Sequence, residues 1–303
     1  MTTFTIGPNE ANSTLYRFFR KAFRTTSLAV IEKWFRSKKI TVNGQATNNK
    51  KTILQVGDIV VLYDDNQPTT RETFKMVKNP QLSVVYEDKN LLIVNKPANL
   101  EIHSPINTSL DDLVKSYLVE KKEYQPEAEL TFVVSHLYRL DKLTSGMVIY
   151  AKNKPTLDAL QEAQLNGNIR KYYVARTQRW TENFEANGWY HYDPVKQRAF
   201  YYPQERNHLR LKTASTKFRL LEQKERNYYV QAQLGTGRKH QIRATLSAFK
   251  MPIVNDFRYG GIKLNREKQI YLKAYKLKFD QLNPPIHYLS RRTFKIGWDD
   301  LKS

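Results

Sequence analysis

In the stretch LYRFFRKAF the apolar positions Leu15, Phe18, Phe19, Ala22 and Phe23 recur at helical spacing, which predicts a helix with one buried face. Arg17, Arg20, Lys21 and Arg24 fall largely off that face. A second helix is expected to open on Ser27 as its cap and to bury Ile31, Trp34 and Phe35, leaving Lys33, Arg36, Lys38 and Lys39 to solvent. ITVNGQ then predicts a short strand and an Asn-Gly turn, and VGDIVVLY, residues 56–63, a closing strand after a Gly-Asp turn. These pieces make a unit over residues 12–63, of a size at which some domains fold alone. Residues 64–80 are polar, carry Pro68 and Pro80, and are expected to be a linker.

From Leu82 onward the pattern turns strand-like, with the runs LSVVYE, NLLIVNK, TFVVSH, GMVIYAK and KYYVART broken by few helical ones. The clearest helices are 108–122, with Asp111 and Asp112 in its first turn, and 155–166, opened by Pro155. FRLLEQKERNYYVQAQL predicts a hairpin around Lys224 to Asn227. Strands outnumber helices and come in adjacent pairs. That predicts an α+β fold for residues 81–303, a mixed, mainly antiparallel sheet flanked by helices, preceded by the small helix-and-strand unit.

Composition adds a partner. Fifty Lys and Arg against 29 Asp and Glu leave a formal charge of +21, whose natural counterpart is a polyanion, nucleic acid before an acidic membrane. Between Leu15 and Lys51 the cations Arg17, Arg20, Lys21, Arg24, Lys33, Arg36, Lys38, Lys39, Lys50 and Lys51 face a single acid, Glu32. A merely solvated helical face would mix signs, so the asymmetry points to phosphate contacts. No run of 18 apolar residues occurs, and MTTFTIGPNEANS lacks the features of a secretory signal, so a cytoplasmic protein without a membrane partner is expected, as a monomer. The absence of cysteine excludes disulfides, thiolate nucleophiles and cysteine-bound zinc, and the six histidines show no HExxH spacing; no metal or cofactor is expected.

Three segments could carry chemistry. HLYRLDKLTSG, residues 136–146, sets Asp141 between Arg139 and Lys142, cations that favour a charged carboxylate able to act as nucleophile or base; a turn in which Asp141 accepts backbone hydrogen bonds explains the same residues. LGTGRKHQIRATLSAF brings Arg238, Lys239, His240 and Arg243 to a glycine turn before a helix, where backbone N–H groups can bind phosphate, or where a plain hairpin ends. IRKYYVART alternates Lys171, Tyr173 and Ala175 with Tyr172 and Val174, which suits stacking on an extruded base or ordinary strand packing.

Taken together and in order, RLDKLTSGMVIYAK, RKYYVA and TGRKHQIR, preceded by VVYEDKNLLIVNKPANLEIH, resemble the RluA-type RNA pseudouridine synthases over residues 82–280. Residues 12–63 resemble the small RNA-binding domain named after ribosomal protein S-four. The resemblance implies a cofactor-free isomerisation of specific uridines by base flipping, in RNA expected to be large-subunit ribosomal RNA. It makes Asp141 the aspartate that acts on the uracil ring or the ribose, Tyr173 the stacking tyrosine, Arg243 the partner of Asp141, and Arg139 the side chain inserted where the base has left. Lys171, Arg238 and His240, with Arg17, Arg20, Lys21, Lys38 and Lys39 of the N-terminal unit, are the expected RNA contacts. His136 is expected to be structural. Tyr138 departs from the family pattern by replacing a histidine, Thr245 likewise, and Asn255 and Asn99 replace glycines; these put RNA selection and local geometry in question more than catalysis. Two rivals are a non-catalytic RNA-binding protein and an RNA N-glycosidase.

Overall fold

The computed structural model describes residues 1–68, 74–206, 210–264 and 269–302. The middle of the expected linker, residues 69–73, lies outside them. The chain opens with strand β1 (Thr2–Thr5), helices α1 (Leu15–Ala22) and α2 (Leu28–Arg36), and strands β2 (Ile40–Val42), β3 (Gln45–Ala46) and β4 (Ile59–Leu62). The strands form an antiparallel sheet in the order β1-β4-β2-β3. Both helices start on hydroxyl caps: Thr14 Oγ1 accepts from the Arg17 N–H, and Ser27 Oγ from that of Val30. Their inward residues are those the spacing predicts, Leu15, Phe18, Phe19 and Ala22 on α1 and Ile31, Trp34 and Phe35 on α2. Burying each large side chain contributes about 1.5–3 kcal/mol.

Asn43 and Gly44 both take positive φ, +50° and +80°, as a tight hairpin turn requires. The Asn43 side chain then joins the VNG turn to the GD turn, donating to Asp58 Oδ1 at 2.9 Å and accepting from the Ile59 N–H at 2.9 Å. The strand that sequence periodicity missed is β1. TTFT has one apolar residue and no pattern, yet Phe4 is buried against Phe18, ring centroids 5.3 Å apart, and pairs with β4, so the unit begins near residue 2 rather than 12. Arg17, Arg20 and Lys38 are exposed. Lys39 and Lys21 are already engaged within the protein, with Asp64 at 2.7 Å and the Thr131 carbonyl at 3.4 Å.

The larger part adds β5 (Val84–Glu87), β6 (Leu91–Lys96), α3 (Leu110–Glu120), β7 (Ser135–His136), β8 (Ser145–Ala151), α4 (Lys154–Leu165) and β9 (Ile169–Thr177). It continues through β10 (Phe184–Asp193), β11 (Arg198–Tyr202), β12 (Lys212–Lys224), β13 (Asn227–Leu234), α5 (Gln241–Ala248), β14 (Leu272–Phe279) and β15 (Thr293–Lys295). An 11-stranded sheet runs β11-β10-β12-β13-β9-β14-β8-β6-β5, with β15 beside β14 and β7 beside β8. Its pairings are antiparallel except β14 with β8, which is the expected mixed sheet of an α+β fold. Two apolar clusters pack on it. One gathers α3, α5 and the middle strands; the other gathers α4, β6, β8 and the C-terminal segment.

Both predicted helices are present, α3 with a Ser109–Asp112 capping box and α4 with Asn153 as cap and Pro155 in its first turn. TFVVSH forms only the two-residue β7, and Phe132 and Val134 are buried ahead of it outside any strand. β10, β11 and β14 were not legible: both faces of β10 and β11 carry aromatic rings, and lysines interrupt the apolar residues of β14. No helix among the described residues is long and apolar enough to cross a membrane.

Candidate active site

Asp141 lies in the loop that leads into β8, where β9 and the start of α5 meet it. The turn closes through the Thr144 N–H on the Asp141 carbonyl at 3.0 Å, and Ser145 and Gly146 enter the strand. Gly146 has φ +117°, and a Cβ there would stand 2.3 Å from the Ala274 carbonyl oxygen, so only glycine lets β8 run this close to β14. On α5, His240 adopts a left-handed φ of +58°. The preceding TGRKH turn folds onto the side chain of Gln241, whose Oε1 accepts from Thr236 Oγ1 at 2.8 Å and from the Arg238 N–H at 2.9 Å.

These elements bring together the predicted trio. Arg243 Nη1 donates to Asp141 Oδ2 at 2.9 Å, while its Nε and Nη2 grip Asp256 at 2.7 and 2.8 Å. Asp256 is 1% exposed and Arg243 5%. Burial works against the charge of Arg243, but the two carboxylates outweigh it and raise its pKa. Tyr173 projects from β9 into the same cleft, its hydroxyl pushed up by burial and by the negative charge of Asp141. The cleft, about 1990 Å³, also contacts Arg139, Lys171, Arg238 and His240. That is larger than the pocket a small ligand needs, about 300–1,000 Å³, and suits a nucleotide together with its neighbours.

Several placements differ from the expectation. Neither sequence neighbour of Asp141 is its partner among the described residues: Lys142 lies 3.9 Å from Glu101 and Arg139 is exposed on the rim, so the cation on Asp141 comes from a helix 102 residues away. His240, one of the expected RNA contacts, lines the cleft without being exposed. It is largely buried, with Nδ1 3.0 Å from the Tyr259 hydroxyl and Nε2 3.5 Å from Asp141 Oδ2. Burial pushes its pKa down to about 4, the charge of Asp141 opposing, so it is a neutral ring at neutral pH. Lys171 reaches Gln164 Oε1 at 2.8 Å and lies 4.7 Å over the Tyr138 ring; burial lowers its pKa to about 8. Tyr172 points to the other side, under Lys276 at 3.9 Å. His136 shares Asp111 Oδ1 with the Tyr150 hydroxyl at 3.0 and 2.8 Å.

The comparisons with known proteins can be set against this geometry. A profile described as RNA pseudouridylate synthase matches residues 90–248, which span Asp141, Tyr173 and Arg243. The chain belongs to this family. It is 46% identical over 296 residues, 96% of either chain, to an uncharacterized RNA pseudouridine synthase of Mycoplasma capricolum. It is 28% identical to the ribosomal large subunit pseudouridine synthase D of Yersinia pestis, covering 85% of this chain and 76% of that one. Among solved structures, the human RNA pseudouridylate synthase domain containing 4 shares the fold, with a TM-score of 0.54 and 22% identity over 71% of this chain and 88% of that one. The protein is therefore an RNA pseudouridine synthase, an isomerase.

Within that family the departures acquire physical reasons. Asn99 and Asn255, in place of glycines, keep the left-handed backbone at φ +64° and +63°, a conformation asparagine tolerates better than other side chains. Asn255 also accepts from the Leu264 N–H at 2.9 Å. Tyr138 replaces a histidine with a half-buried ring whose hydroxyl donates to the Met147 carbonyl at 2.9 Å, and Thr245 is buried within α5.

Sequence reasoning missed Asp256 and Lys96. Asp256, a carboxylate 13 residues past Arg243, carries no local periodicity to announce a pair. Lys96 stands within the VVYEDKNLLIVNKPANLEIH segment, but nothing in the sequence marks it as buried. Its ammonium group, 0% exposed, donates to the carbonyls of Pro97, Leu100 and Lys142 at 2.8, 2.9 and 3.2 Å, tying the 97–100 loop to the Asp141 loop. Burial lowers its pKa to about 8, and the charge of Asp141 opposes that shift. Between about pH 8 and the ordinary lysine value of about 10.5, the unfolded chain holds the proton that the folded chain has lost, so stability rises with pH through this window. Wild type should therefore gain stability relative to Lys96→Met as pH goes from 7.5 to 10 in urea unfolding. A difference that is flat or shrinks would contradict the assignment.

Proposed function

We propose that the protein isomerises specific uridines in large-subunit ribosomal RNA, with Asp141 as the catalytic residue acting on a base flipped into the cleft. The observation that carries the reading is the Asp141 carboxylate held by Arg243 at 2.9 Å in a cleft that also contains Tyr173. Tyr173 stacks on the uracil, and Arg243 fixes the carboxylate's orientation. Arg139, exposed on the rim, fills the gap left in the RNA. In the reaction the N1–C1′ bond breaks, C5–C1′ forms, C5 gives up its proton and N1 gains one, so nothing is oxidised or consumed. The choice of ribosomal RNA rests on the similarity to the large-subunit pseudouridine synthase D. Mapping pseudouridines by chemical modification and reverse-transcription stops in cells with and without the gene tests it: loss of one or a few large-subunit sites supports the reading, and unchanged ribosomal RNA overturns it.

The N-terminal unit is proposed as an S-four-like RNA-binding domain, supported by its one-sided charge and the coupled VNG and GD turns. Each phosphate contact contributes about 0.7–0.9 to the slope of log affinity against log salt. Arg17→Gln, Arg20→Gln and Lys38→Gln together should weaken ribosomal RNA binding and reduce that slope by about 2 to 3. Equal slopes, read by filter binding across salt concentrations, would remove this unit from the interface.

A further inference from the structure

The hairpin of β10 and β11 has two faces of different character. Tyr190, Ala199 and Tyr201 turn into the core. On the other face Trp189 and His191 stand directly opposite Tyr202 and Phe200, and all four rings are half-buried rather than covered. Cations lie over this face: Arg198 and Lys196 are 5.5 and 5.9 Å from the Phe200 centroid, and Arg206 is 4.9 Å from that of Tyr202. Its acids are occupied: Glu185 pairs with Lys217 at 3.0 Å, and Asp193 accepts from the Val195 and Lys196 N–H groups in the turn at 2.9 and 3.0 Å. Among the described residues β11 is the last strand at this edge of the sheet.

The hairpin tip reaches the active-site cleft. Gln197 contributes to the cleft wall, its carbonyl accepts from Arg258 Nη1 at 2.8 Å, and Lys239 Nζ donates to the Tyr192 hydroxyl at 2.7 Å. From the Asp193–Arg198 pair to the Trp189–Tyr202 pair is four residues of strand, about 13 Å. At about 3.4 Å per stacked nucleotide, that length takes three to four bases.

We propose that the outer face of this hairpin is a stacking platform for unpaired RNA bases flanking the target uridine, with Trp189, His191, Phe200 and Tyr202 as the stacking rings and Lys196, Arg198 and Arg206 beside the phosphates. Aromatic rings interleaved with cations fit a single strand, whose base faces are open; a duplex hides its base faces and offers only backbone. A protein partner would be served as well by the rings but gains nothing specific from three cations. The inference deepens the functional reading given above, and its probe is chosen to be independent of that reading.

The probe is a fluorescein-labelled oligoadenylate of about a dozen nucleotides, within the range single-strand sites occupy, which contains no uridine for the Asp141 cleft. Trp189→Ala with Phe200→Ala in the full chain should raise its Kd about tenfold or more, since one stacked base is worth about a factor of ten. The salt slope should stay unchanged, because no phosphate contact is removed. Binding of a blunt RNA duplex of equal length should change less than about twofold, and Trp189→Tyr with Phe200→Tyr should retain most of the oligoadenylate affinity. Unaltered oligoadenylate binding overturns the platform. So does equal weakening on duplex and single strand, which would mark a general loss of fold. Binding of oligoadenylate that depends on the rings in a protein that forms no pseudouridine would sink the functional reading and leave the platform standing.

Discussion

Asp141→Asn is expected to lower pseudouridine formation at least about a thousandfold while leaving RNA affinity within about threefold of wild type. The amide preserves the volume of the carboxylate and can still accept from Arg243, so the loop and the Asp256 pair should stay in place. What disappears is the charge that attacks or abstracts. Affinity is spared because register on the RNA comes mainly from phosphate contacts, which this substitution does not touch. Product formation at the wild-type rate would remove Asp141 from the chemistry, and a parallel collapse of RNA binding would mean that it serves binding instead.

The second large effect is expected at Arg243. Arg243→Ala takes two hydrogen bonds from Asp256, a carboxylate 1% exposed, and one from Asp141. Breaking a buried pair by removing one partner typically costs roughly 3–5 kcal/mol, because the charge left behind has neither water nor counterion. Urea unfolding at pH 7 should show a loss of that order together with loss of activity. Removing both charges with Arg243→Met and Asp256→Leu should recover much of the stability, since such pairs are often replaceable by apolar side chains, yet the protein should stay inactive. That split separates the two jobs of Arg243, holding α5 to the 256 loop and orienting Asp141. A stability loss below about 1 kcal/mol in Arg243→Ala would show that the pair is solvated and that this account of it is wrong.

The contrast between what periodicity revealed and what it hid has a physical basis. The N-terminal helices were legible because each buries a single stripe, so Phe18, Phe19, Trp34 and Phe35 repeat at helical spacing. β9 was legible as an alternation, which put Lys171 and Tyr173 on the cleft side and Tyr172 on the other. The hairpin of β10 and β11 was not, because both of its faces carry aromatic rings and polar groups mark neither inside nor outside. The motifs singled out Asp141 and, through the family resemblance, its partner Arg243, but not the buried Asp256 behind that arginine. Sequence adjacency suggested Arg139 and Lys142 as its cations, whereas the chain supplies Arg243 from 102 residues away and Asp256 behind it. His240 shows the same limit. A histidine within a basic run reads as a phosphate contact, and only its burial against Tyr259 shows it to be a neutral ring beside the carboxylate.

Tritium release from large-subunit ribosomal RNA carrying 5-tritiated uridine tests the central claim most directly, because C5 must lose its hydrogen when the new carbon–carbon bond forms. Wild-type protein is predicted to release tritium to water up to a small whole number of equivalents per RNA, and Asp141→Asn none above background. Release by both proteins alike, or by neither on an RNA that both bind, would contradict it.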